Sequence, residues 1–355
     1  VHYPVNHMIA VGPLPTIFIS IASYRDPETQ WTIRSALDRA KYPERITFGI
    51  CWQYNFTDDK EILFNAIPEE LFPGQIRAMH IPYTDAAGPG YARHLIQTRL
   101  FSNENYVLQI DSHTRFRQDF DVDLTDQLER ARLSSPMPIL STYPPGYNTL
   151  GQGGQAEADA IFDSSPDPTV LLPSRFDDDS FLRIIGRSVP KTHGQQPLPN
   201  RFWAAGFSFS DGSVVHDCPY DPHLSGIFFG EESVMAVRLF TSGYDFFSPA
   251  VVVCLTKWSR SYRSVFREVS SDLNRSRAAR LRLMHLLGCL NSCTLENENR
   301  AQVLFEIDLY GLGSVRTLEQ FEKESGVQFH SRSIGNSKLQ IGLPADANSL
   351  ISAFL

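Results

Sequence analysis

Asp111 and His113 stand two residues apart at the end of an apolar run, in "LQIDSHTRF" at 108–116. In extended backbone this spacing puts both side chains on one face. One offers a hard carboxylate oxygen and the other an imidazole nitrogen. Such a pair can hold two positions of a divalent ion, Mn2+ or Mg2+, and leave others for water or phosphate oxygens. The chemistry that follows is neutralisation of charge on a diphosphate leaving group. An isolated D-x-H also arises by chance, and Asp at a strand end is commonly a turn former. The surrounding elements must therefore carry the reading further.

Those elements alternate strand and helix signals over residues 16–144. "TIFISIAS" (16–23), "ITFGICW" (46–52), "IRAMHIP" (76–82), "NYVLQID" (105–111) and "PILSTYP" (138–144) read as strands. Asp26 and Pro27 suit an N-cap and first helical position, and Ile33, Leu37 and Ala40 follow at helical spacing. "KEILFNAI" (60–67) reads as a short helix. "GPGYARHLIQTRL" (88–100) reads as a glycine turn and a helix with Ala92, Leu95, Ile96 and Leu100 facing inward. This alternation predicts an α/β fold with a mainly parallel central sheet flanked by helices. Ligands bind outside the carboxyl ends of such strands, and Asp111 sits at one. Residues 145–200 are rich in Gly, Pro, Ser and Asp and lack periodicity, which predicts an irregular lid or acceptor-facing loop. "FWAAGFSFS" (202–210) restores a strand signal, and 231–249 reads as a helix ending at Gly243 and then a strand. Helices are predicted at 272–287 and 315–325, with a short β-element over the last 20 or so residues.

The 355 residues carry a net charge of −8 and are 42% hydrophobic, enough for a sizeable core in one large domain or two smaller ones. The acidic balance argues against a nucleic-acid partner, which needs a concentrated basic face. No apolar run reaches the length of a membrane span, and no clear signal peptide is present. The chain begins with Val, and "NHM" at 6–8 resembles an expression remnant. The five cysteines match neither a metal framework nor a small disulfide scaffold and read as buried thiols in a reducing compartment.

A set of segments resembles the cytoplasmic polypeptide N-acetylglucosaminyltransferase family. They are "IFISIASYRDPE", "RITFGICWQ", "DAAGPGYARHLIQ", "YVLQIDSHTRF", "PILSTYPPGY", "AAGFSFS", "PYDPHLSGIFFGEE", "GYDFFSP" and "WSRSYR", in family order from residue 16 to about 265. "YGLGSVRTLEQFE" extends the match. The best-known members attach GlcNAc to hydroxyproline on a ubiquitin-ligase adaptor in eukaryotic microbes. The D-S-H triplet also recurs in mucin-type polypeptide GalNAc-transferases. The resemblance implies a GT-A nucleotide-sugar fold and a retaining, metal-dependent transfer from a UDP-sugar, most directly UDP-GlcNAc, to a protein or glycan hydroxyl. It implies a cytoplasmic location, a GT-A domain over 16–265 behind an N-terminal segment (1–15), and a helical extension over 266–355.

The same resemblance suggests roles. Asp111 and His113 match the metal triplet, with Ser112 beside the nucleotide. Arg25 and Asp26 are candidates for uridine contacts, Asp26 equally for a plain helix cap. Arg93 is a candidate for ribose or diphosphate, or for a solvated helix face. Glu231 and Glu232 are candidate catalytic acids at the donor sugar, one of them facing it. Asp221 and His223 border the acceptor or close a turn. Arg260 and Arg263 can clamp a diphosphate, and Trp258 stacks on a sugar or joins the core. One departure stands out. The family usually has a histidine two residues before the tryptophan, whereas this sequence has Thr256 and then Lys257. Weak binding through Asp111, His113 and water, substitution by His216 or His223, or a metal-free role for Lys257 are all open. A catalytically dead binding module is the rival reading.

Overall fold

The first strand forms because "IFISIASY" offers β-branched and aromatic side chains to both faces, and both faces are covered. In the computed structural model, which describes residues 14–68, 71, 74–191, 195–269, 273–290 and 297–335, this strand is β1 (Ile17–Tyr24). Ile17, Ile19 and Ile21 pack on α1 (Thr29–Arg39) from one side, and Phe18 packs on the other. β2 (Ile46–Tyr54), α2 (Lys60–Phe64), β3 (Ile76–Pro82), α3 (Pro89–Arg99) and β4 (Tyr106–Asp111) follow. β3, β2, β1 and β4 lie side by side in that order, all parallel. Register pairs Ala22 of β1 with Asp111 of β4. Since β1 has β2 on one side and β4 on the other, the strand order reverses here, which is where α/β sheets open a ligand crevice.

β5 (Thr114–Phe116), α4 (Phe120–Arg132), β6 (Pro138–Ser141), α5 (Gly153–Asp163), the hairpin β7 (Thr169–Phe176) and β8 (Leu182–Ser188), and β9 (Leu198–Asn200) come next. β10 (Phe207–Asp211), the short α6 (Val214–Asp217), α7 (Glu231–Thr241), β11 (Asp245–Ser248) and β12 (Cys254–Thr256) complete the sheet region. The eight-stranded sheet runs β3-β2-β1-β4-β10-β6-β11-β9. β10 enters antiparallel between β4 and β6, so β6 runs in the same direction as β1 to β4 but is not bonded to them directly. An apolar run carries no mark of strand direction, which is why the insertion is invisible in sequence. β12 pairs antiparallel with β5, setting Thr256 opposite Thr114.

The 145–200 segment is more ordered than its composition suggests. It holds α5, the β7–β8 hairpin and β9. In α5 only Gly154 and Ala158 are buried, too small a stripe to register as helical periodicity. After the sheet come α8 (Leu273–Leu286), α9 (Asn297–Leu304), α10 (Ile307–Tyr310) and α11 (Leu318–Ser325), with a small hairpin of β13 (Val327–Gln328) and β14 (Ser333–Ile334). The β-element expected over the last residues lies outside the described residues from 336 on. A buried ion pair, Arg282 Nε to Asp221 Oδ2 at 2.6 Å, joins α8 to the loop before α7. Among the described residues no helix is long and apolar enough to cross a membrane.

Gly49 in β2 marks a tight core contact. A Cβ built there would lie 1.9 Å from Phe18 Cζ, and Phe18 is 1% exposed. Gly49→Ala is expected to cost about 1–3 kcal/mol by overpacking. Urea unfolding checks this, and an unchanged midpoint would show that the Phe18 ring has room to move.

Candidate active site

A cavity of about 710 Å3 opens over the carboxyl ends of β1 and β4. Asp111, Ser112 and His113 form its floor, with Arg93, Tyr143, Ala205, Gly206, Glu231 and Glu232 on one wall. Thr256, Trp258, Arg260, Arg263, Val265, Phe266 and Arg267 form the other. The volume falls in the range of ligand pockets.

The D-S-H triplet divides its work. Asp111 keeps about a quarter of its side chain exposed, and its Oδ2 lies 3.9 Å from His113 Nε2. His113 is 3% exposed and turns its other nitrogen, Nδ1, to Asp26 Oδ2 at 2.8 Å. Ser112 spends its hydroxyl on the same Asp26 oxygen at 2.5 Å. Gly206 lets β10 close over the floor, because a Cβ there would meet Asp111 Oδ2 at 2.9 Å.

Asp26 is fully buried and does not line the cavity, so the expectation of a uridine contact is corrected. Burial alone would raise its carboxyl. Hydrogen bonds from His113 and Ser112 and the charge of Arg263 overcome that and hold it well below the usual carboxylate range. It does not cap α1 with its side chain either, although its Oδ1 accepts from the Glu28 amide at 3.0 Å. Arg25 also stays off the cavity, paired with Asp59 at 2.8 Å and Glu268 at 2.9 Å.

Gly230, at φ +96°, turns the chain into α7, whose first turn carries both glutamates. They differ in their partners. Glu231 Oε1 accepts from Arg93 Nη1 at 2.5 Å and from the Tyr220 hydroxyl at 3.0 Å. Arg93 is buried, bonds the Ala205 carbonyl at 3.1 Å and comes within 3.6 Å of Asp111 Oδ1. Arg93 therefore bridges the strand end to the helix and is no solvated surface arginine. Glu232 has no cation: its Oε1 accepts from the Ala205 amide at 2.9 Å and its Oε2 from the Tyr143 hydroxyl. Burial, with smaller help from the Glu231 and Asp111 charges, pushes the Glu232 carboxyl up to about 7 against those two hydrogen bonds.

On the opposite wall Trp258 is half exposed at 49%, which decides against a core role. Its indole N–H donates to the Pro144 carbonyl at 3.2 Å, and its ring meets Tyr143 edge-on at 5.4 Å. Arg263 lines the cavity but is bound by Asp26, Nε to Oδ2 at 3.1 Å. Arg260 and Arg267 both lie over the Phe228 ring, at 4.8 and 5.5 Å, and neither has a carboxylate partner among the described residues. Arg267, Phe228 and Tyr143 were not singled out from the sequence. Tyr143 and Phe228 sit in the quoted motifs, but nothing local tells an aromatic that faces a ligand from one that fills a core.

Asp221 and His223 do not line the cavity. Asp221 is consumed by Arg282, and His223 Nε2 meets Glu306 Oε2 at 2.8 Å. His216 Nε2 bonds Asn103 Oδ1 at 2.8 Å, also away from the cavity. Neither histidine replaces the one missing at Thr256. Lys257 points elsewhere as well: its Nζ donates to the Asn148 carbonyl at 2.5 Å and it does not line the cavity. Among the described residues no third carboxylate, imidazole or thiol joins Asp111 and His113. The donors present still suit a divalent cation. A hard oxygen and a bare ring nitrogen face one space, the histidine is held from behind by a carboxylate, and Thr256 presents a buried hydroxyl with no hydrogen-bond partner on the cavity wall.

A parallel sheet that reverses its strand order beneath a D-x-H floor is the GT-A glycosyltransferase fold. The sequence profile described as "Glycosyltransferase (GlcNAc)" matches residues 16–67 and 57–331, and the chain belongs to this family. A crystal structure of GalNAc-T7 with UDP, GalNAc and Mn2+ superposes with a TM-score of 0.56 at 13% identity, over 88% of this chain and 57% of that one. The chain thus spans little more than half the length of that neighbour. S. aureus TarS 1-349 in complex with UDP-GlcNAc gives a TM-score of 0.46 at 12% identity, over 82% of this chain and 71% of that one. No curated protein matches the sequence.

Glu232 makes stability depend on pH. A carboxyl whose folded value is raised stabilises the fold fully below its unfolded value of 4.5 and loses that contribution as pH rises through about 7. Glu232→Gln keeps the shape of the neutral acid. It is expected to match the wild type near pH 5 and to be more stable above pH 8 by on the order of 1–3 kcal/mol. Urea unfolding at the two pH values reads this; parallel curves for the two proteins would mean Glu232 is ionised throughout.

Proposed function

We propose that this protein is a retaining glycosyltransferase that moves a sugar, GlcNAc first among the candidates, from a UDP-sugar to a hydroxyl of a protein or glycan. The family membership and the cavity at the strand-order reversal support this reading together. The observation that carries it is the meeting in one cavity of the Asp111–His113 pair, the Glu232 carboxyl and two arginines without carboxylate partners. GalNAc-T7 is described with UDP and Mn2+, and TarS with UDP-GlcNAc, which fits the same donor class. A hydroxyproline acceptor, as in the best-known relatives, stands beside serine, threonine and glycan hydroxyls. Cys51, Cys218 and Cys254 are buried free thiols, which fits the proposed cytoplasmic setting.

The side chains divide the work as follows. Asp111 and His113 hold Mn2+ or Mg2+, which when bound supplies Lewis-acid neutralisation of the leaving diphosphate. Arg260 and Arg267, held over the Phe228 ring, donate charge-assisted hydrogen bonds to phosphate oxygens. Glu232 orients a sugar hydroxyl, its own carboxyl fixed by Tyr143 and the Ala205 amide. Glu231 keeps Arg93 in place next to Asp111. Trp258 offers a fixed aromatic face at the cavity mouth. Thr256 favours one rival, a module that binds the nucleotide-sugar without turning it over.

Release of UDP from a panel of UDP-sugars, with Mn2+ or with EDTA, tests the proposal. Donor hydrolysis or transfer that EDTA abolishes is expected, strongest with UDP-GlcNAc. Donor binding by calorimetry without any UDP release would favour the binding module. Asp111→Ala is expected to lose nearly all activity while staying folded, and full activity in that variant would defeat the assignment of the floor.

Thr256 gives a second measurement. If it occupies the place of a metal ligand, Thr256→His should reach half-maximal activity at lower Mn2+ than the wild type. The gain is expected to be at least about tenfold, the scale on which even supporting groups tune metal sites. Identical Mn2+ titrations would exclude Thr256 from the shell.

A further inference from the structure

Asp26 accepts hydrogen bonds from two sides of the cavity although it never reaches it. From the floor come His113 Nδ1 at 2.8 Å and Ser112 Oγ at 2.5 Å. From the opposite wall the Tyr262 hydroxyl donates at 3.1 and 3.3 Å, and Arg263 adds an ion pair, Nε to Oδ2 at 3.1 Å. The Glu28 amide completes the set at 3.0 Å. We propose that Asp26 is the positioning residue that sets the floor and one wall of the cavity at once. It holds His113 with Nε2 toward Asp111, and it anchors the segment 257–268 over the cavity through Arg263 and Tyr262. The proposal rests on the functional reading only for what the floor and that wall bind.

The chemistry leaves little choice of side chain. Ser112, Tyr262 and the Glu28 amide meet Asp26 as donors and Arg263 meets it as a cation, so the acceptor must be a carboxylate with both oxygens free of protons. That acceptor in turn requires the proton of His113 on Nδ1, which fixes the tautomer and bares Nε2. Asn would place an NH2 against a donor whichever way its amide turned. The anchored segment is short and does much of the lining: Trp258, Arg260, Arg263, Val265, Phe266 and Arg267 all border the cavity. Its far end is tied down beside Asp26, by Glu268 accepting from Tyr24 at 2.8 Å and Arg25 at 2.9 Å. Losing Asp26 would free the histidine ring and leave Arg263, only 10% exposed, buried without its counter-charge. The floor and that wall would therefore loosen together, which a contact confined to either one could not cause.

Nitrogen-15 NMR of the imidazoles in the metal-free, UDP-free full chain tests the proposal, with His113 assigned by the signals lost in His113→Gln. The wild type is expected to carry the His113 proton on Nδ1. In Asp26→Asn that signature should disappear, and Mn2+ binding followed by electron paramagnetic resonance with MnCl2 should weaken about tenfold to hundredfold. Trypsin cleavage after Arg260 should accelerate several-fold with no ligand present. Arg263→Gln should speed the same cleavage yet leave the His113 signature in place, which separates the two arms. A wild-type His113 protonated on Nε2 would overturn the proposal. So would a folded Asp26→Asn with an unchanged His113 signature, or an Arg263→Gln cleaved no faster than the wild type. These readouts stand even if Asp26→Asn fails to fold, because the wild-type tautomer and the Arg263 variant decide. Absence of Mn2+ binding by the wild type would count against the metal in the functional reading, while the tautomer and cleavage rates still judge Asp26.

Discussion

The parallel pairing of β1 with β4 is the constraint from which the cavity follows. Register sets Ala22 beside Asp111, so the residues just past each strand end, Asp26 on one side and Ser112 and His113 on the other, are brought together. Hydrogen bonds of the sheet settle that meeting before any side chain contributes. Antiparallel β10 then closes the far side of β4, and Gly206 leaves room for the Asp111 carboxylate against it. The floor is thus backbone geometry first, and the polar chemistry is mounted on it.

Burial makes that chemistry selective. Four charged groups, Arg93, Asp26, Arg263 and Glu231, are taken out of water and each is paired: Arg93 with Glu231, and Asp26 with Arg263. An unpaired charge in the same places would cost several kcal/mol. Glu232 is the exception, a half-buried carboxyl with only neutral donors, and its raised pKa is the physical result. Two adjacent glutamates on one helix turn thus take different electrostatic states because one finds an arginine and the other a tyrosine. The arginines of the opposite wall follow another rule. Arg260 and Arg267 rest on an aromatic face, which steadies a guanidinium without neutralising it. A cation held in that way keeps its charge for a ligand.

The C-terminal helices are part of this frame. Arg282 of α8 neutralises Asp221, and the next residue toward the N-terminus, Tyr220, donates to Glu231. A polar chain therefore runs from α8 to the first turn of α7. The same ion pair explains why Asp221, a polar residue among aromatics, is not an acceptor contact: its carboxylate is spent inside the protein.

Much of this was legible in the sequence, and the part that was not has a common cause. The strands β1 to β4, the helix after Gly230 and the pairing of Asp111 with His113 rest on period and on neighbours two to four residues apart, which any folded context preserves. The D-x-H spacing places both groups on one face without help from the rest of the chain. The antiparallel entry of β10, the helix and hairpin within 145–200, and the fates of Asp26, Asp221, His223 and Lys257 depend on partners far along the chain. Asp26 meets Ser112 and His113 from 86 and 87 residues away and Tyr262 from 236. A carboxylate in "SYRD" has the same local sequence whether it faces a ligand or a buried histidine. Only the packing of β1 on β4, and of the 257–268 segment over both, decided which, because desolvation leaves a buried carboxylate stable only where donors converge on it.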